Sequence, residues 1–115
     1  MIVLSKSYEK LTEDLVQART AAEKVAIGED SGEICLESLA IKIPHAKAND
    51  VINAINKAGL TTYGAQVIDK MRYFIIGIKK CGYRSSRHRA IEKLHKEMLS
   101  RGYIVRIHTE PELER

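Results

Sequence analysis

Tyr73-Phe74-Ile75-Ile76-Gly77-Ile78, Lys79-Lys80-Cys81-Gly82-Tyr83, Arg84-Ser85-Ser86-Arg87-His88-Arg89: this stretch decides the fold. An apolar run passes through a basic turn into a basic segment, which continues amphipathic to Arg101 and closes on Tyr103-Ile104-Val105-Arg106-Ile107. The pattern predicts strand, turn, helix, strand. Alternation gives each strand two faces. Phe74, Ile76 and Ile78 share one parity, as do Val105 and Ile107, and these are the expected core positions. Tyr73, Ile75 and Lys79, with Ile104, Arg106 and His108, then point to the opposite face.

Upstream, two further strands and a helix fit the same scheme. Glu33–Ile43 reads as a strand, with Leu39, Ile41 and Ile43 alternating with Ala40 and Lys42. Ile34 and Leu36 lie on the other parity, so a bulge near Glu37-Ser38 is expected. Pro44, lacking an N–H, ends it. Ala46–Ala58 reads as a helix with Val51, Ile52, Ile55 and Ala58 inside, Asn49 as a candidate cap and Gly59 at the left-handed C-terminal position. Thr61–Ile68 is a strand interrupted by Gly64, joined by Asp69-Lys70-Met71 to the third strand, Arg72–Lys80. The basic helix follows, with Ser85 or Ser86 as its cap and Ala90, Ile91, Leu94 and Met98 inward. Tyr103–His108 is the last strand.

Strand, helix, strand, strand, helix, strand is the order of two split βαβ halves. The expected fold class is α+β: a ferredoxin-like βαββαβ sandwich, a four-stranded antiparallel sheet with two helices on one face and the first and third strands central. Placing the apolar centres of those two strands opposite each other pairs Leu39 with Gly77. The same register sets Cys35 opposite Cys81, within about two residues.

An amphipathic helix over residues 5–26 precedes this unit. Tyr8, Leu11, Leu15, Ala18, Ala22 and Val25 recur at helical spacing, and Ser5 or Ser7 is its candidate cap. Met1–Leu4 reads as a short strand or a lead-in. The alanines suit close packing on the rest of the domain or on a second copy. Alternatively, this helix covers the other face of the sheet. Gly28-Glu29-Asp30-Ser31-Gly32 reads as a flexible acidic turn. The expected division is an N-terminal helical arm, 1–27, an α+β domain, 33–109, and a frayed tail, 110–115.

The chain has 115 residues, 44% apolar and 30% charged, the size and composition of one globular domain. No apolar run approaches the ~20 residues of a membrane span, and the start lacks signal-peptide order. A cytoplasmic protein without a membrane partner is expected. Cys35 and Cys81 make neither a disulfide framework nor a zinc spacing, and reduced thiols are expected. The net charge of +4 is uneven: residues 1–66 hold seven Lys/Arg against nine Asp/Glu, and residues 67–115 hold twelve against six. That asymmetry points the second half toward a polyanion, or toward a merely well-solvated helix face.

Nucleic acid, RNA or DNA, is the partner this suggests, and a small regulatory protein the function. The candidate binding residues are Arg72, Tyr73, Lys79, Lys80, Tyr83, Arg84, Ser86, Arg87, Arg89, Lys93 and Arg106. Cations neutralise phosphates and release counterions. Serine and helix N-terminal amides add hydrogen bonds to phosphate, and tyrosines stack on unpaired bases. The order of elements is similar to that of the RNA-recognition module. That family carries a basic-aromatic motif on its third strand, where Lys70–Gly77 would lie. The motif's required glycine and second exposed aromatic are missing, so membership is not inferred.

Catalysis is not expected. Ser85, Ser86 and His88 are neighbours at a helix start, where capping accounts for the serines, and no third group completes a triad. No phosphate loop of Walker or Rossmann spacing occurs. His88 and His95 lie too far apart along one helix for an i, i+4 metal pair, so no metal or cofactor is expected. A homodimer is expected, built through the N-terminal helix or the open sheet face, since a bare apolar sheet face asks for a cover. The alternative function is a protein-interaction module or inhibitor acting as a homodimer without nucleic acid.

Overall fold

The computed structural model describes residues 3–109. Three helices and four strands follow in the order α1 Val3–Ala26, β1 Glu37–Lys42, α2 Ala48–Lys57, β2 Thr61–Ile68, β3 Met71–Gly77, α3 Ser85–Ser100 and β4 Ile104–Thr109. The chain is α+β, with one four-stranded antiparallel sheet in the order β2-β3-β1-β4. β1 and β3 are the central pair. Helix α1 is already under way at Ser5 and Ser7, so neither occupies the cap position. Met1, Ile2 and the 110–115 tail lie outside the described residues.

One core holds the fold together. Leu39 and Ile41 of β1, Phe74 and Ile76 of β3, and Ile78 just beyond it turn to the helices. They pack with Val51, Ala54 and Ile55 of α2 and with Ala90, Ile91, Leu94 and Met98 of α3. Helix α1 adds Leu11, Leu15, Ala18, Ala22 and Ala26 to the same cluster, lying against α3 and α2. Its stripe is therefore consumed within the chain, on the helical side of the sheet. Asp14, itself buried, ties α1 to the far end of the sheet. It accepts from the Tyr103 hydroxyl at 2.6 Å and pairs with Lys10 and Arg101.

Leu39 pairs with Ile76, Ala40 with Ile75 and Ile41 with Phe74, one residue from the expected register. The reason is parity. Directly opposed residues share a face, so core-facing Leu39 cannot oppose Gly77, whose neighbours Phe74 and Ile76 face the core at the other parity. The strand at 33–43 is also shorter than expected. Residues 33–36 leave the sheet, and the Cys35 amide donates to Tyr83 O at 2.7 Å, beyond the end of β3. Cys35 and Cys81 are both free thiols.

The face away from the helices is less open than alternation suggests. Ala40, Tyr73 and Ile75 are 0%, 8% and 2% exposed, and Ile68 packs against them. The β2–β3 hairpin brings its tip over this face. Asp69 and Lys70 both take positive φ, 53° and 68°, the mirror-image turn whose twist suits a two-residue hairpin. The register of β2 slips between Thr62 and Ala65, and such an irregularity increases strand twist. Asp69 then reaches Arg106 on β4 at 2.7 Å, and the Arg106 guanidinium lies over the Tyr73 ring.

Candidate functional site

The start of α3 gathers most of the candidate residues, and an internal carboxylate sits at its centre. Asp30 accepts from the amides of Ser86 (3.0 Å), Arg84 (3.0 Å) and Tyr83 (3.2 Å), and from the Ser86 hydroxyl (2.9 Å). The first turn of a helix presents unpaired N–H groups and a positive dipole end. Asp30 satisfies both from a loop far away in sequence. The Ser86 amide, with the other donors, holds its carboxyl below the ordinary value. Neither Ser85 nor Ser86 acts as the side-chain cap of its own helix; the cap position is Arg84 and makes no side-chain cap bond.

This corrects the reading of residues 28–32 as a flexible turn. Ser85 Oγ exchanges hydrogen bonds with the Ser31 amide and the Glu29 carbonyl, and the Ser85 amide donates to Ser31 O. Arg84 donates to Gly32 O. The segment is laced to α3 along its length.

Two arginines of the cluster, Arg87 and Arg89, are turned inward to backbone carbonyls, while Arg84 stays exposed. Arg89 donates to Val25 O at 2.8 Å, Ala26 O at 3.4 Å and Glu29 O at 2.8 Å. It closes the C-terminal end of α1, where carbonyls lack intrahelical donors. Arg87 donates to Glu37 O, Ile78 O and the Ser38 hydroxyl, joining β1 to the end of β3. Ser86 is buried. Elsewhere, Lys93 pairs with Glu97 at 3.3 Å. Arg72 donates to Ala46 O and lies over Phe74 on the helical side of the sheet. Arg106 is held by Asp69, and Tyr73 is shielded.

The connection between β3 and α3 stays outward, as do Arg72 and Arg106 on the sheet. Lys79, Lys80, Tyr83 and Arg84 are exposed, Tyr83 to 75%. They stand together on the connection between β3 and α3. The sequence-derived set thus divides into a surface group on this loop, a scaffold at the start of α3 made by Ser86, Arg87 and Arg89, and residues that lie elsewhere: Arg72, Tyr73 and Arg106 on the sheet and Lys93 further along α3.

No family model, no curated protein and no solved structure matches this chain. The residues themselves carry the functional argument.

A second constellation, which spacing alone did not indicate, lies next to Arg87. His88 Nδ1 is 2.8 Å from Glu37 Oε1, and its Nε2 is 3.3 Å from Glu92 Oε2. The hydrogen bond to Glu37 raises the His88 imidazole above its ordinary value. Cys35 stands beside them: its Sγ, a Glu37 carboxylate oxygen and a His88 ring nitrogen all lie within 4.8 Å of one another. Burial pushes the Cys35 thiol up, as it does Cys81. These three residues come from a loop, a strand and a helix. Only Cys35 and Glu37 are near each other in sequence, and an i, i+2 pair of that kind is common without meaning.

Proposed function

We propose that the protein binds single-stranded nucleic acid, as a small regulatory protein and not as an enzyme. The supporting observation is the exposed β3–α3 loop, on which Tyr83 shares the surface with Lys79, Lys80 and Arg84. A ring flanked by cations offers an unpaired base a stacking surface and the adjacent phosphates a charge. Arg87, Arg89 and Ser86 serve as its scaffold; Tyr73 and Arg106, engaged with each other and with Asp69, contribute little to direct contact. RNA and DNA are both accommodated by this chemistry. The test is fluorescence anisotropy with labelled single-stranded RNA and DNA across a salt series. Affinity that falls steeply with salt for at least one of them is expected; no saturable binding at low salt overturns the reading.

The fold proposed is the ferredoxin-like sandwich. Its support is the strand order β2-β3-β1-β4, with the first and third strands central and each half reading strand, helix, strand. A cytoplasmic location and a homodimer complete the proposal. The α1 stripe and the centre of the outer sheet face are both occupied within the chain, so the dimer contact belongs to the sheet edges, where Val67 and Ile104 are exposed. One observation favours the alternative of a protein-interaction module: Ile34 and Leu36 are exposed on the segment bonded to Tyr83. A monomer mass at all concentrations removes the dimer. Loss of nucleic-acid binding without loss of a dimer favours the interaction module.

A further inference from the structure

We propose that Cys35, Glu37 and His88 form a binding site for a divalent transition ion of the zinc class, which staples the segment before β1 to helix α3. The donor atoms lie within 4.8 Å of one another. A tetrahedral zinc ion with bonds of ~2.0–2.3 Å holds its ligand atoms about 3.4–3.7 Å apart. The ion therefore needs a contraction of about 1 Å by the widest pair, within the reach of a cysteine χ1 rotation. It also separates Glu37 from His88 slightly, entering where their hydrogen bond now lies.

The donor chemistry is right for this class of ion. One thiolate, one imidazole and one carboxylate are the ligands of borderline-soft zinc, and a poor set for calcium or magnesium, which take oxygen. Thiolate and carboxylate together offset the charge of a divalent ion. The nearby Arg87 bonds the Glu37 carbonyl and not its carboxylate, whose hydrogen-bond partner is the His88 ring, itself a ligand of the proposed site. Glu92 supplies what a metal-bound histidine ordinarily has, a carboxylate on its second ring nitrogen. It sits at Nε2, leaving Nδ1 aimed at Glu37 and the site. Binding releases the Cys35 thiol proton and any second proton on His88, the normal exchange of protons for metal. Three protein ligands leave the fourth position to water.

The site is independent of the nucleic-acid reading and is tested without it. The reduced protein is titrated with cobalt(II), followed by absorption, and with zinc, followed by calorimetry. Expected are one ion per chain and a thiolate-to-cobalt charge-transfer band that zinc abolishes by displacement. Cys35→Ser removes the band, while Cys81→Ser keeps it. His88→Gln, an exposed position that leaves the core untouched, weakens zinc at least tenfold. Glu92→Gln, acting through His88, weakens zinc about 10–100-fold and leaves the band in place. Circular dichroism verifies that each variant is folded. Absence of stoichiometric binding, a band that follows Cys81, or parent affinity in either Cys35→Ser or His88→Gln overturns the proposal.

Discussion

Asp30 is the residue on which the basic end of the molecule turns. A helix start rich in arginine and serine is chemically an anion site, and this chain fills it with its own carboxylate. Gly82 is what lets it in. A Cβ at Gly82 would stand 2.0 Å from the Asp30 carboxylate oxygen and 2.6 Å from Ser86 Oγ. Gly82→Ala is therefore expected to drive Asp30 from the helix end, at a cost of about 1–3 kcal/mol, as for other forced overpacking. Combined with Asp30→Ala it should cost clearly less than the two single changes added, because both remove the same interaction. Urea unfolding of the four proteins measures this; full additivity would mean that the glycine and the cap are unrelated. The pH dependence has a definite sign. The folded-state carboxyl titrates below its unfolded value, so its contribution is complete above the ordinary aspartate range and is lost as pH falls through that range and below. The acid limb of stability should be shallower in Asp30→Asn than in the parent.

At the scale of elements, two arginines act as joints. Arg89 binds the end of α1 to the start of α3, and Arg87 binds β1 to the end of β3. Arg89→Ala leaves the carbonyls of Val25 and Glu29 without their donor and should cost about 1.5–3 kcal/mol, the range for hydrogen bonds to a charged group. Lys80→Ala, on the exposed loop, should stay within about 0.5 kcal/mol of the parent. Chemical denaturation compares them; equal stability of Arg89→Ala and parent would remove the joint. The contrast marks where sequence reasoning stops. The helical stripe of α1, the strand at Thr61–Ile68 and the core parity of Phe74 and Ile76 were legible, because periodicity is a local property. The partners of Arg84, Arg87 and Arg89 were not. An arginine that caps a distant helix and one that awaits a phosphate have the same sequence signal, and only the fold brings Val25, Glu29 and Glu37 beside them. The same limit hid the Cys35, Glu37 and His88 constellation. Its members stand close only once the residue before β1 leaves the sheet and α3 crosses it.

For the whole molecule, the charge asymmetry that first suggested a polyanion is now spent unevenly. Arg87, Arg89 and Arg101 are engaged inside the structure and Arg106 is paired with Asp69 at the surface, while Lys79 and Lys80 face solvent beside Tyr83. Counterion release depends only on cations that reach phosphate. Lys79→Ala with Lys80→Ala removes two such contacts, and for a single strand each is worth ~0.7 units of the logarithmic salt slope. The double variant should thus bind with a slope shallower by about 1.4 units and unchanged thermal stability. Tyr83→Ala should weaken binding by about 1–3 kcal/mol while leaving the slope alone, because stacking carries no charge. Arg89→Ala should show the reverse order of effects, with stability falling first and the slope of the remaining folded protein near that of the parent. Anisotropy titrations at several salt concentrations, on variants checked for folding, separate these three signatures. If the lysine pair leaves the slope unchanged while Arg89→Ala flattens it, nucleic acid contacts the helix start, Arg89 must leave α1 to do so, and the loop is not the binding surface.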